Sequence, residues 1–259
     1  MPTRDSYEPG RPCWVDLATS DPEAARSFYG ELFGWTPEVD PDPAAGGYSQ
    51  FHQDGARVAG CGPAMGEGAP SVWTTYIASD DVDATATLIE ASGGTTMVPP
   101  MDILEAGRMG LFADPTGAVF GVWQAKQHTG AELVNEPTGW TWSHLLTSDK
   151  AKALEFYGTV FGWEERNDPT WGDYIALGDG EIASASEMDD NVPAGVPPHW
   201  SVAFSVPDAG EAQARAVQLG GTAVGPVDDM GPAKQASVMD PQGAMFGFLS
   251  MPAEPPAEA

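Results

Sequence analysis

Residues 12–35 change hydrophobic period once. "PCWVDLAT" reads as a short strand, and after it apolar residues recur at Ala25, Phe28, Tyr29 and Leu32, the spacing of one helix face. Asp21 stands where an N-cap belongs. Pro22 follows at the first helical position, where its missing N–H costs nothing. Gly34 suits the left-handed residue that ends a helix. The order returns later as "TWSHLLT", Asp149, then Ala153, Phe156, Tyr157 and Val160, closed by Gly162. "YSQFHQDGARVAGC" and "YIALGDGEIASAS" each predict a hairpin turning on Asp-Gly. "VWTTYIAS" then precedes a helix over 82–92 that Gly93 ends, and "HWSVAFSV" one over 209–219 that Gly220 ends, with further strands after each. The pattern spells β-α-β-β-β four times.

The modules come in two copies. "FYGELFGW" (28–35) is echoed by "FYGTVFGW" (156–163). Trp14-x-x-Leu17-x-Thr19-Ser20-Asp21 is echoed by Trp142-x-x-Leu145-x-Thr147-Ser148-Asp149. Gly93-Gly94-Thr95 matches Gly220-Gly221-Thr222, and Asp114-Pro115-x-Gly117 matches Asp240-Pro241-x-Gly243. We read an α+β chain of two homologous domains, 10–126 and 138–251, joined by a linker over 127–137. The repeated helix phrase reads as helix-on-sheet packing, without chemistry of its own.

Composition narrows the function classes. The chain has 259 residues and 42% hydrophobic residues, enough for a sizeable core. Its net charge of −27, with 38 acidic against 11 basic residues, argues against nucleic acid or an anionic membrane as partner, since both need a basic face. The first residues carry no apolar signal region, and no apolar run is long enough to span a bilayer, so a cytoplasmic location is expected. Cys13 and Cys61 read as free thiols. The Pro/Ala/Glu-rich end, "MPAEPPAEA", reads as frayed.

The D-x-x-x-A-x-x-FY-x-x-x-FGW helix, the GG-T helix end and the DP-x-G hairpin together resemble the vicinal oxygen chelate superfamily. That group includes glyoxalase I, extradiol dioxygenases, fosfomycin-resistance enzymes and bleomycin-binding proteins. The resemblance covers nearly the whole chain and implies that each module pair curls into a half-open, barrel-like sheet around a ligand cleft. In metal-using members four His, Gln or Glu side chains point into that cleft. Carried over by the motifs, their positions fall on Trp14, Thr74 and Gly121 in the first copy and on Trp142, Ser201 and Gly247 in the second. The fourth falls near Gly60 and Ala185. None of these is a competent ligand, so the expectation is no metal and no cofactor.

Strand parity adds residues two places along, Asp16, Tyr76, His144 and His199, with Glu187 as a further possibility. Of these, His144, His199 and Glu187 would make one metal site if the register shifted by two. Without metal, Asp16, Tyr76 and His144 are the candidate acids and bases, because a titratable group walled by indole is desolvated and its pKa moves toward the working range. Trp14, Trp123 and Trp142 share the cleft parity, with Thr74, Ser201 and His199 beside them, and Gly121 and Gly247 leave room for a large flat ligand. Trp171 is placed on or beside a strand, Trp73 and Trp200 are expected under the helices, and His52 and His128 are read as exposed bystanders.

The resemblance to tandem, metal-free members found near aromatic polyketide pathways implies a hydrophobic aromatic ligand. Three readings remain open. One is a metal-independent enzyme performing an acid–base step (cyclisation, dehydration or ketal formation) in antibiotic biosynthesis. The others are a sequestering protein without turnover and a metal-dependent glyoxalase- or dioxygenase-type enzyme. Fusion of two copies allows a monomer, and a homodimer is the alternative.

Overall fold

The computed structural model describes residues 3–66, 68–190, 192–193 and 195–251. The end read as frayed lies, from 252 on, outside the described residues. Each copy folds into one eight-stranded sheet. In the first, β1 (Pro12–Thr19), α1 (Pro22–Phe33), β2 (Thr36–Val39), β3 (Ser49–Gln53) and β4 (Ala56–Pro63) form one module. The second module is β5 (Val72–Ala78), α2 (Val82–Ala91), β6 (Thr95–Ile103), β7 (Gly107–Ala113) and β8 (Val119–Ala125). The strand order is β2-β3-β4-β1-β5-β8-β7-β6, with β1 antiparallel to β5 at the centre.

The second copy repeats this with β9 (Trp140–Thr147), α3 (Lys150–Phe161), β10 (Glu164–Asp168), β11 (Gly172–Leu177) and β12 (Gly180–Glu187). Its other module is β13 (His199–Ser205), α4 (Ala209–Gln218), β14 (Thr222–Asp229), β15 (Lys234–Met239) and β16 (Met245–Ser250). The order is β10-β11-β12-β9-β13-β16-β15-β14. Both sheets are half-open, as the α+β reading requires.

The helix signals act as their chemistry dictates. Asp21 accepts from the Ala24 N–H and Asp149 from the Lys152 N–H, each satisfying a donor that the first turn leaves free. Gly34 and Gly162 end their helices at φ 77° and 75°, where a side chain would be strained. The second-copy hairpin differs from expectation. Its strands close from Leu177 to Gly180, so Gly178 and Asp179 form the turn, whereas Asp54 and Gly55 form it in the first copy. In the first turn both central residues take positive φ; in the second only Gly178 does.

The two sheets meet through their convex faces, and each core is shared between the copies. Phe28, Tyr29, Phe33 and Trp35 from around α1 pack with Phe204, Phe246 and Phe248 of β13 and β16. Phe156 and Tyr157 of α3 pack reciprocally on Phe120 of β8. Tyr29 Oη donates to Asp240 Oδ2 (3.0 Å) and accepts from Trp73 Nε1 (3.0 Å). Tyr157 Oη accepts from Trp200 Nε1 (2.8 Å) and faces Asp114. The FY of each helix phrase is thus tied to the DP-x-G aspartate of the other copy. Trp73 and Trp200 lie buried there, and the hydroxyls of Thr75 on β5 and Ser143 on β9 meet at 2.8 Å. Trp171 sits in a turn and is 47% exposed. Among the described residues no helix is long and apolar enough to cross a membrane.

Candidate functional site

Alternation decides what each concave face carries. In β1, Cys13, Val15 and Leu17 are fully buried against the core, so Trp14 and Asp16 face the hollow. Asp16 pairs with Gly60 on β4 and Thr74 on β5, and Trp14 pairs with Tyr76. Tyr76 in turn pairs with Gly121, and Ala78 with Trp123. In the second copy His144 pairs with Ser184 and Ser201, Trp142 with Ala203, and Ala203 with Gly247. Asp16 and His144 therefore occupy equivalent points at the centre of two cups.

In the second cup His144 is held by hydroxyls on both sides. Its Nδ1 lies 2.7 Å from Ser184 Oγ and its Nε2 2.8 Å from Ser186 Oγ. Ser184 also accepts from Trp142 Nε1 at 2.8 Å. A neutral ring satisfies this arrangement, one nitrogen donating and the other accepting. Burial, followed by the nearby His199 and Lys150 charges, pushes the imidazole down from 6.5 to about 4, so it is neutral at physiological pH. Ser201 Oγ donates to the His144 carbonyl (3.2 Å), and His199 Nδ1 lies 2.8 Å from the Pro197 carbonyl.

The first cup solves the same problem with a different residue. Trp14 Nε1 donates to Tyr48 Oη (3.3 Å), and the Tyr48 hydroxyl bonds the Asp16 carboxyl. Burial raises Asp16 from 3.8 to about 7, with the Tyr48 hydrogen bond opposing. Its Oδ1 is enclosed and has no protein hydrogen-bond partner. Tyr48 reaches this place because residue 60 is glycine: a Cβ there would overlap both the Tyr48 hydroxyl and Asp16 Oδ1. Where the second copy fills this space with Ser184, the first fills it with a tyrosine from just ahead of β3. Burial, then the Asp16 charge, raises the Tyr48 and Tyr76 phenols well above their ordinary range.

Several sequence expectations change here. His128 is buried at 6% exposure, packed edge-on against Trp14 at 4.4 Å between ring centres. The linker doubles back over the first cup, so this histidine is part of the interior. His52 is half-buried, 3.8 Å from Glu38. Gly121 does not hold space for a ligand, because the Tyr76 ring already occupies the position its Cβ would take. Ala185 faces the core at 7% exposure, and the residue that opposes His144 is Ser184. Glu187 has the parity of Ala185 and does not join His144 and His199. The one-residue difference between the hairpin turns explains the slip, since matching the two Asp-Gly pairs misplaces β12 by one residue. Ser184 and Ser186 escape the sequence reading for this reason; the signal available is the Ser-x-Ser alternation of "ASASE". Tyr48 escapes it because it lies just ahead of its strand, where parity gives no direction.

The glycine contrast gives a stability test. Gly121→Ala should cost about 1–3 kcal/mol by forcing the Tyr76 ring to move. Gly247→Ala should be nearly neutral, because the nearest atom to the added methyl group, Ala203 Cβ, would lie 3.5 Å away. Urea midpoints of the two variants check this, and equal losses would contradict the packing described.

The donor set does not fit a divalent metal. At the positions where metal-using members of the resembled family place ligands, indole, hydroxyl and bare backbone stand instead. Among the described residues no group of three or more His, Cys, Asp or Glu side chains converges to hold an ion.

Comparison with known proteins agrees with the geometry of the fold. A family model described as the Glyoxalase/Bleomycin resistance protein/Dioxygenase superfamily matches residues 11–122 and again 128–248. A Mycobacterium tuberculosis protein named "Putative glyoxylase CFP32" is 42% identical over 96% of this chain and 98% of its own length. "Anthracycline biosynthesis protein DnrV" of Streptomyces peucetius is 37% identical over 98% of both chains. In three dimensions the chain resembles the Mn(II)-bound glyoxalase from Novosphingobium aromaticivorans with a TM-score of 0.62 at 18% identity, over 96% of this chain and 83% of that one. The duplicated match and the paired sheets together show that this chain belongs to the Glyoxalase/Bleomycin resistance protein/Dioxygenase superfamily.

Proposed function

We propose that the protein is a metal-independent enzyme of antibiotic biosynthesis that binds a bulky, aromatic polyketide-like substrate and catalyses a proton-transfer step such as cyclisation, dehydration or ketal formation. One observation carries this reading: at the centre of each cup a titratable group is linked through a hydroxyl to a tryptophan indole, His144 through Ser184 to Trp142 and Asp16 through Tyr48 to Trp14. The anthracycline-biosynthesis name of a relative covering 98% of its length points the same way.

The chemistry follows from the charge states. Through the serine hydroxyl that donates to it, the neutral imidazole takes a proton from a phenol or from carbon beside a carbonyl, and by the same path the imidazolium returns it to a departing or ring-closing oxygen. The partly exposed Trp142 indole stacks on the substrate. Ser201 and His199, beside His144, are the polar groups that would orient it.

The experiment is incubation with a panel of aromatic polyketide intermediates, with and without a strong chelator, and product detection by mass spectrometry. Product formation insensitive to chelation, lost in His144→Ala while binding persists, is the expected result. Binding without product from any compound would favour sequestration, and loss of activity on chelation would restore the metal-dependent reading.

A further inference from the structure

The two cups are not equally open, and the difference lies in the linker. His128 sits between two cup-facing indoles, with ring centres 4.4 Å from Trp14 and 5.4 Å from Trp123. Its carbonyl accepts from Trp123 Nε1 (2.8 Å), and its Nδ1 is approached by Arg57 Nη1 (3.2 Å) and the Gly130 N–H (3.3 Å). Both of those are donors, so Nδ1 is the accepting nitrogen and the proton rides on Nε2, which is enclosed without a partner.

The segment is fastened on both sides of the histidine. Ala131 N–H donates to the Cys13 carbonyl (2.8 Å), and Tyr7 Oη to the Ala131 carbonyl (2.6 Å). Glu132 donates its N–H to the Arg57 carbonyl (2.8 Å) and pairs with the Arg57 guanidinium. Ala131 and Leu133 are almost fully buried. Trp14, Tyr76 and Trp123 are consequently 4%, 7% and 7% exposed, the state of core residues.

The equivalent wall of the second cup is smaller and more open. Ala203 stands where Tyr76 does, Leu249 where Trp123 does, and Gly172 where Tyr48 does. Trp142, Ala203 and Leu249 all stay partly exposed. Gly247 has room for a methyl group, unlike Gly121.

We propose that residues 127–133 are a built-in occupant of the first cup, with the His128 ring in the aromatic slot between Trp14 and Trp123, so that the chain offers a single site for a planar polycyclic ligand, in the second cup against Trp142 and His144. The ligand class rests on the function proposed above; the plug stands on its own contacts. Asp16 then serves the closed cup as a structural carboxyl, and His144 faces the ligand.

The test has two arms. In the first, 5-fluorotryptophan is incorporated, resonances are assigned with Trp14→Phe and Trp142→Phe, and the solvent-isotope shift between H2O and D2O is read. Trp142 should show the shift and Trp14 should not, and His128→Gly should give it to Trp14. In the second arm, alizarin, a planar dihydroxyanthraquinone, is titrated by tryptophan quenching. One equivalent should bind, weakened at least tenfold by Trp142→Phe and less than threefold by Trp14→Phe. Equal isotope shifts at the two tryptophans, or protection of both, would overturn the plug and the open second cup. Two equal alizarin sites, or loss confined to Trp14→Phe, would overturn the assignment of the site. Failure of alizarin to bind while the fluorine result holds would sink the aromatic-ligand reading alone, leaving the plug established.

Discussion

Phe246→Ala is expected to destabilise the whole chain by about 3–5 kcal/mol, the usual cost of emptying a buried aromatic site. Phe246 belongs to the last strand of the second copy, yet its ring packs against Phe28, Tyr29 and Phe33 of the first copy as well as Phe204 and Phe248 of its own. A loss there removes support from α1 as much as from β16. The consequence reaches beyond magnitude: the two copies should unfold together. Equilibrium urea unfolding followed by circular dichroism and tryptophan fluorescence should show one shared transition, shifted to lower urea in the variant. Two separate transitions, with only the second-copy one moved, would mean that the copies are independent domains and that the shared cores contribute little.

The second large effect is a pH-dependent gain in stability from Asp16→Asn. Burial raises the Asp16 carboxyl from 3.8 to about 7. Between those values the unfolded chain releases the proton first, so the folded state binds more protons and loses stability as pH rises. Below pH 4 both states are protonated and the penalty vanishes. Above pH 7 it is complete, at up to about 4 kcal/mol, and about 2 kcal/mol after allowing for the partial exposure of the side chain. The variant should therefore melt well above the parent protein at pH 8 and close to it at pH 4.

His128 and His144 act with the opposite sign. Burial lowers both from 6.5 to about 4, with Arg57 adding for His128 and with His199 and Lys150 adding for His144. Their stabilising effect is full above pH 6.5 and is lost as pH falls through 4. Two histidines gain and one carboxyl loses as pH rises from about 4 to 6.5, so the parent protein should be most stable near pH 6.5, and thermal melts across pH 4–8 measure both flanks. An Asp16→Asn gain that is the same at pH 4 and pH 8 would mean that the carboxyl is not desolvated.

Much of the fold is legible in the chain because it rests on local rules. The Asp21 and Asp149 caps, the Gly34 and Gly162 stops and the 3.6-residue spacing of Ala25, Phe28, Tyr29 and Leu32 each act within a few residues, so sequence order alone reveals them. Duplication then makes the pairing of modules visible. The helix phrase reads as packing helix on sheet, but its spacing does not tell that much of its aromatic face packs on the other copy. That depends on which convex faces meet, a choice made by shape across more than a hundred residues of chain.

For the candidate site, strand parity puts Trp14, Asp16, Trp142 and His144 on one face each, since period-two alternation is a property of the strand itself. What parity cannot give is the partner across the strand. Gly60 opposite Asp16 and Ser184 opposite His144 follow from hairpin register, and the turn at Gly178 and Asp179 shifts that register by one.

The sequence by itself determined two copies of a two-module α+β design, the cup-facing residues of the central strands, and an acidic net charge. Only the tertiary structure decided that Tyr48 replaces a serine, that Tyr76 fills the space at Gly121, and that His128 lies inside the first cup. The reason is physical: local hydrogen bonding and side-chain period are written in neighbouring residues, whereas occupancy of a hollow is settled by whichever segment of the folded chain reaches it first.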